Sequence, residues 1–241
     1  MTMLATYTQA AEARRQLIAR YLHDGIRVVG IKIALTSSDA QARMGTDRPV
    51  WGWLTDTMEI RDGAVIDAAR GSVLRAEAEL VFELGQDLAG PGITRRDVLD
   101  ATAAIRPGIE LPARSERPPA SAADMIADNA MATHFVVGDA LADWRRLDLS
   151  LLGVVMEVNG EAASSGCPAN VLGHPADAIA SVANDFARQE GGILRAGHLV
   201  FTGGITPAVA LGPAMTVDAN FSRLGRVGIS VAADRLGEVV S

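Results

Sequence analysis

Residues 74–84 read Leu74-Arg75-Ala76-Glu77-Ala78-Glu79-Leu80-Val81-Phe82-Glu83-Leu84. Side chains alternate faces along a strand, so Leu74, Ala76, Ala78, Leu80, Phe82 and Leu84 form one apolar face that reads as core. Glu77 and Glu79 then share the opposite face, with Cα atoms roughly 6.5–7 Å apart. Carboxylates that close repel unless a positive charge sits between them. Two readings are open from this stretch alone. The outer face is solvated, or the pair converges as hard oxygen ligands on a divalent cation.

Working outward, the N-terminal side offers a helix over Thr8–His23, with Leu17, Ile18, Tyr21 and Leu22 at helical spacing and Asp24-Gly25 as its stop. Arg27–Leu35 is β-rich. Ser38-Asp39-Ala40-Gln41 has a capping-box pattern, opening a short helix that Gly45 ends. Val50–Leu54 reads as a strand and Asp62-Gly63 as a tight turn. Beyond the glutamate strand, Thr94 to Asp97 resembles a helix start, predicting a helix over about 95–105, and a short apolar segment then carries Glu110. Residues 112–122, rich in Pro, Ser and Ala, are expected to form an exposed or mobile loop. A short strand is expected over 133–138.

Leu152–Ser164 has the form of a hairpin, with Asn159-Gly160 supplying a type I′ turn. Pro175 at a first helical position and Gly191-Gly192 beyond the end bracket a helix over about 176–189. Four short strands are expected near 198–203, 207–211, 215–221 and 227–232. Strands are many and short and helices few, which predicts an α+β domain and not a repeating βαβ chain.

Composition narrows the function classes. The 241 residues carry a net charge of −7, which argues against nucleic acid or an anionic membrane surface as partner. No apolar run is long enough for a membrane helix. Met1–Ala13 lacks a basic region followed by an apolar one, so no secretory signal is expected. The single cysteine, Cys167, excludes an internal disulfide framework and is compatible with a reducing cytoplasm.

Gly203-Gly204 and Gly30 build neither a dinucleotide fingerprint nor a phosphate-binding loop, and no G-x-S-x-G elbow occurs. His23, His134, His174 and His198 are scattered without metal-ligand spacing, so a bound metal would be held by oxygen, which favours Mg²⁺ or Mn²⁺. Lys32, flanked by Ile31 and Ile33, is either an edge-strand lysine snorkelling outward or a buried ammonium near carboxylates. Asp56 and the pair Asp128-Asn129 are turn residues or functional ones on the same footing.

Taken in order, these segments resemble one family. Gly30-Ile31-Lys32-Ile33-Ala34-Leu35-Thr36-Ser37 is similar to the G-x-K-x-G-L-T-S stretch of the 2-keto-4-pentenoate hydratase and 2-oxo-3-hexenedioate (4-oxalocrotonate) decarboxylase group, within the fumarylacetoacetate hydrolase superfamily. The similarity continues through Trp51-Gly52-Trp53-Leu54-Thr55-Asp56, Ala76-Glu77-Ala78-Glu79, Ile109-Glu110 and Ala127-Asp128-Asn129-Ala130. It closes with Val171-Leu172-Gly173-His174-Pro175 and Thr202-Gly203-Gly204-Ile205-Thr206, and covers about residues 27–232. Asp62–Asp67, Leu152–Glu161 and Thr202–Thr206 look more like the decarboxylase branch than the hydratases. The chain departs from the pattern after Glu110, where an Asp-Ser-Arg and an aromatic-containing segment are usual, and in its shorter N-terminal region.

The resemblance implies a mixed β-roll over residues 27–241, preceded by a helical lead-in over 1–26. It implies Mg²⁺ or Mn²⁺ on Glu77, Glu79 and Glu110, and Lys32 and Asp56 as a polar pair beside a bound 2-oxo acid. Leu54, Asn129 and Thr206 fall on its substrate-binding side. The implied reaction is loss of CO₂ from 2-oxo-3-hexenedioate in meta-cleavage aromatic catabolism. The alternatives are a hydratase acting on 2-hydroxypenta-2,4-dienoate, a hydrolase or isomerase of another 2-oxo acid, and a diverged non-catalytic member. A cytoplasmic homo-oligomer, with a hydratase as possible partner, completes the expectation.

Overall fold

A computed structural model describes residues 3–67, 74–112 and 118–233. The chain opens with helix α1 (Met3–His23), strand β1 (Val28–Ala34), α2 (Ser38–Arg43) and β2 (Val50–Thr55). Two short strands follow, β3 (Glu59–Ile60) and β4 (Val65–Ile66), then the long β5 (Leu74–Leu84). Next come α3 (Arg95–Ala101), β6 (Thr102–Leu111), α4 (Ala122–Ala127) and β7 (His134–Val137). β8 (Val154–Val158) and β9 (Glu161–Gly166) form a hairpin ahead of α5 (Pro175–Glu190). β10 (Leu199–Phe201), β11 (Val209–Leu211), β12 (Thr216–Phe221) and β13 (Gly225–Val231) complete the α+β fold.

The strands form two sheets. The larger runs β2-β1-β10-β5-β6-β7-β3, with β11 also paired to β5; the smaller runs β4-β13-β12-β8-β9. β5 lies at the centre of the larger sheet, and its alternation decides the layering. Ala76, Ala78, Leu80, Phe82 and Leu84 are buried and join one apolar cluster with Met156, Val217, Ala219, Val227 and Ile229 of the smaller sheet. One face of β5 is therefore buried in the core that the second sheet also enters, and the other is left to carry charge.

Local chemistry explains most of the connections. Asn159 (φ 55°) and Gly160 (φ 81°) both take the positive φ that a type I′ turn demands. His174 caps α5 by accepting from the Ala176 N–H through Nδ1 at 3.1 Å. Pro175 follows at the first position, and Gly191 ends the helix in the left-handed conformation.

Several expectations needed correction. The helix expected over 95–105 stops at Ala101, because Thr102 to Glu110 are claimed by the antiparallel ladder with β5. Long-range pairing wins over local helix propensity there. The cap of α2 is Ser37 and not Ser38, its Oγ accepting from the Ala40 N–H at 3.2 Å. Of the expected loop 112–122, residues 113–117 lie outside the described residues. Its end leads into the unanticipated α4, capped by Ser121 and burying Ala122, Ala123, Met125 and Ile126. In α1 the buried stripe is Ala10, Ala11 and Arg14, while Leu22 stays exposed.

Arg14 explains how α1 is anchored. Its guanidinium donates to the Trp51 carbonyl at 2.7 Å, lies 3.5 Å over the Trp51 ring and pairs with Glu190 at the end of α5. Trp51 in turn packs edge-on against Trp53 and Phe186. Helix α1, edge strand β2 and α5 thus meet at one buried cation. Removing one partner of a buried pair leaves an uncompensated charge. Glu190→Gln is expected to lower unfolding free energy by about 3–5 kcal/mol, read from urea denaturation; an unchanged midpoint would mean the pair anchors nothing.

Candidate metal centre

The charged face of β5 becomes a site through its neighbours. In the β5–β6 ladder Glu77 stands directly opposite Glu110, and Glu79 opposite Gly108. A like-charged pair facing across two strands is destabilising by itself. One carboxylate oxygen from each of Glu77, Glu79 and Glu110 lies within 4.8 Å of the others. Glu110 and Glu79 are 0% and 1% exposed, whereas Glu77 is half-buried and faces a cavity.

The backbone around them is cut to fit. A Cβ at position 108, opposite Glu79, would come within 2.5 Å of Val81 Cγ2 and 2.9 Å of the Phe201 ring, so glycine is what lets β6 lie this close to them. The loop 202–206 is laced to β5 by Thr202 Oγ1, which donates to the Leu80 carbonyl at 2.9 Å, and by the Ile205 N–H, which donates to the Ala78 carbonyl at 2.9 Å. This lacing aims the Gly203 N–H at Glu79 Oε2, 2.7 Å away.

Lys32, on β1, reaches the same point, its Nζ 3.3 Å from Glu110 Oε1. The contact is an ion pair without the alignment of a hydrogen bond. Glu79 Oε1 and both Glu110 oxygens are buried without any hydrogen-bond partner. Burial, more than any other influence, raises both carboxyls. Glu110 is pushed up to about 8, with Lys32 pulling the other way. Glu79 rises well above its ordinary value, helped by repulsion from Glu110. Burial disfavours the charge on Lys32, but attraction by Glu110, then Glu77 and Glu79, outweighs it and holds the ammonium above its ordinary value.

Three oxygen ligands, orphaned buried oxygens and one lysine against three glutamates fit a hard divalent cation. Its charge would also return the carboxyls to their ionised form. Glu77, Glu79 and Glu110 are the residues that would hold it.

The cavity beside the glutamates has a volume of about 540 Å³. Lys32, Thr36, Ser37, Glu77, Asn170 and Thr206 give it polar walls, and Leu35, Met44, Met125 and Met131 apolar ones. Arg75 stands on the same wall.

Of the residues singled out in the sequence, Lys32, Glu77, Glu79, Glu110 and Thr206 meet here, and three do not. Asp56 does not pair with Lys32. It lies four residues past Gly52, the partner of Lys32 in the β1–β2 ladder, hence roughly 13 Å along the strand. There it binds Arg27, accepting from Nε at 2.9 Å and from the backbone N–H at 3.1 Å, which hold its carboxyl below the ordinary value.

Leu54 is buried away from the cavity among Met58, Val81, Phe135 and Phe201. Asn129 spends its side chain on Trp53, accepting from its N–H at 2.7 Å and donating to its carbonyl at 2.9 Å. It thereby supplies edge strand β2 with what a further strand would give. These two bonds also hold a left-handed turn, Asn129 (φ 49°), Ala130 (φ 52°) and Met131 (φ 61°), whose last two residues line the cavity. Such a run persists only where its surroundings impose it.

The residues missed were Thr36, Ser37, Asn170 and Arg75. Strand alternation alone puts Arg75 on the face of Glu77; Asn170 joins the wall only by donating to the Ile205 carbonyl at 2.9 Å.

Comparison with known proteins agrees with this geometry. The model of the fumarylacetoacetate (FAA) hydrolase C-terminal family matches residues 28–232, and the chain belongs to that family. A 4-oxalocrotonate decarboxylase of Pseudomonas sp. (strain CF600) is 39% identical over 225 residues, 93% of this chain and 83% of the relative. A 2-hydroxyhexa-2,4-dienoate hydratase of Comamonas testosteroni is 39% identical over 188 residues, 77% of this chain and 71% of the relative. Among solved structures, 4-oxalocrotonate decarboxylase from Pseudomonas putida G7, complexed with magnesium and adipate, superposes with a TM-score of 0.89 at 34% identity. The match covers 93% of this chain and 86% of that one.

Two outcomes follow from the site. Glu110, pushed up to about 8, holds a proton at neutral pH that it must release to a metal. Calorimetric titration with Mg²⁺ at pH 7 in buffers of different ionisation enthalpy should show net proton release, and affinity should rise from pH 6 to 8. The metal-free protein should lose stability as pH rises from the ordinary 4.5 to about 8, since the folded chain there holds more protons than the unfolded one. Absence of proton release would contradict the raised carboxyls. Separately, Asn129→Ala should cost about 2–3 kcal/mol by stranding two backbone groups yet leave Mg²⁺ affinity unchanged. A loss of metal binding with stability intact would return Asn129 to the site.

Proposed function

We propose that this chain is a Mg²⁺-dependent lyase that removes CO₂ from 2-oxo-3-hexenedioate, yielding 2-oxopent-4-enoate or its dienol. The observation that carries the reading is the buried cradle of Glu77, Glu79 and Glu110, paired with Lys32 and opening onto a cavity of small-molecule size. The similarity to 4-oxalocrotonate decarboxylases at 37–39% identity supports the same chemistry. So does a structural relative that takes magnesium together with a six-carbon dicarboxylate.

When bound, a divalent cation supplies Lewis-acid polarisation of the substrate's 2-oxo group, so that the distal carboxylate leaves as from a vinylogous β-keto acid. Lys32, a cation fixed beside Glu110, orients the anionic head of the substrate. Loop 202–206, through the Gly203 N–H, keeps Glu79 aimed at the same point. The apolar wall of Leu35, Met44, Met125 and Met131 gives the carbon chain of the substrate an apolar surface to lie against. Hydrolytic C–C cleavage calls for a His/Glu pair to activate water, and among the described residues no histidine stands on the cavity wall.

Mn²⁺ serves as well as Mg²⁺, since both accept oxygen ligands. Residues 27–241 act as the catalytic unit, in a cytoplasmic homo-oligomer that hands its product to a hydratase. Among the described residues no helix is long and apolar enough to cross a membrane.

Protein supplied with Mg²⁺ and 2-oxo-3-hexenedioate should release bicarbonate while the substrate's ultraviolet absorbance falls. Turnover of 2-hydroxypenta-2,4-dienoate alone would make the chain a hydratase, and inactivity with both would remove the lyase reading. Glu79→Gln should weaken Mg²⁺ binding beyond the roughly 10–100-fold typical of residues that only support a ligand; wild-type affinity in that variant would dismiss the cradle.

A further inference from the structure

Arg75 is left over once the metal centre and Lys32 are accounted for. Arg75, Glu77 and Glu79 share one face of β5, and burial deepens in that order, from exposed to half-buried to buried. Arg75 and Lys32 are the two cations on the cavity wall among the described residues. Lys32 is tied to Glu110. No carboxylate among the described residues pairs with Arg75, although it stands two positions from Glu77. Among the described residues nothing engages its guanidinium, which can meet a ligand.

The charges say what that ligand carries. Three ionised glutamates, one lysine and a divalent cation balance at the inner end of the cavity, where the chelating head of a 2-oxo acid would be held by direct coordination to the cation. A second carboxylate at the far end of the substrate enters with no partner, and an unpaired charge in a partly buried cavity is costly. Reach fits as well. Arg75 lies one β-repeat, roughly 6.5–7 Å between Cα atoms, from Glu77, and an extended six-carbon chain of bonds about 1.5 Å long spans roughly 6 Å.

We propose that Arg75 determines specificity by capturing the distal carboxylate of a dicarboxylic 2-oxo acid, so that the site prefers a dianion to a monoanion of equal length. The inference rests on the metal-held 2-oxo acid reading of the site. Because CO₂ loss discharges the group that Arg75 holds, the contact belongs to the ground state. It governs capture and KM, and it does not accelerate the chemical step.

The test uses two ligands that differ only at carbon six, 2-oxohexanedioate and 2-oxohexanoate, titrated calorimetrically into Mg²⁺-loaded protein. The wild type should bind the dioate about tenfold or more tightly, the scale of one charge-assisted, bidentate contact. Arg75→Gln should erase that preference while leaving affinity for 2-oxohexanoate and for Mg²⁺ unchanged. Arg75→Lys should keep part of it. In turnover, Arg75→Gln should raise KM about tenfold without lowering kcat.

Mg²⁺-dependent binding of both ligands without preference, or a preference that survives in Arg75→Gln, overturns the role of Arg75 alone. A variant that loses both ligands equally does the same. Failure of the wild type to bind either ligand overturns the metal-held 2-oxo acid reading, and the role of Arg75 with it.

Discussion

Three carboxylates gathered within 4.8 Å on one buried sheet face are the constraint around which the rest is arranged. Desolvation and mutual repulsion both oppose that arrangement. The protein answers with a lysine whose charge the same glutamates reinforce, a backbone N–H from the 202–206 loop, and glycines that let the backbone approach closely. These partners leave oxygens of Glu79 and Glu110 unsatisfied. In an interior where buried polar groups are normally paired, that deficit is the strongest physical sign that a cation belongs there.

The central strand carries both stability and chemistry, and its two-residue period keeps them apart. Its even-numbered side chains from Ala76 to Leu84 are sealed in the core, which fixes the strand. Its odd-numbered ones run from exposed Arg75 through Glu77 and Glu79 to buried Val81. Since the backbone is immobilised by core packing on the far side, the ligands need little reorganisation on binding. The cavity wall opposite is made differently. There Asn129 grips the edge of β2 and holds Ala130 and Met131 in a left-handed turn, so that part of the pocket is shaped by a locally costly backbone.

This division bears on how relatives with different reactions share one scaffold. The glutamates and Lys32 lie on paired strands, where register leaves little room for change. Much of the remaining wall comes from connecting segments, Leu35–Ser37, Ala130–Met131, Asn170 and Thr206–Pro207, whose side chains can alter without disturbing the ladder. A carboxylate cradle suits any chemistry that builds charge on a 2-oxo group.

Much of this was legible in the sequence. Alternation in residues 74–84 yielded the apolar face and the glutamate pair, and Asn159-Gly160, Pro175 and Gly191 marked a turn and two helix ends, because these signals act over a few residues. The family's spaced motifs added Glu110, Lys32 and Thr206. What escaped depended on contacts between distant segments. The ladder with β5 turned an expected helix end into β6, and the long reach of the β1–β2 pair carried Asp56 away to Arg27. A surrogate-strand role used up Asn129, and Leu54 went into a separate apolar cluster. The sequence by itself determined which residue types share a face, through the period of the backbone. Only the tertiary structure decided which faces meet, because burial and register are set by partners that lie far off along the chain.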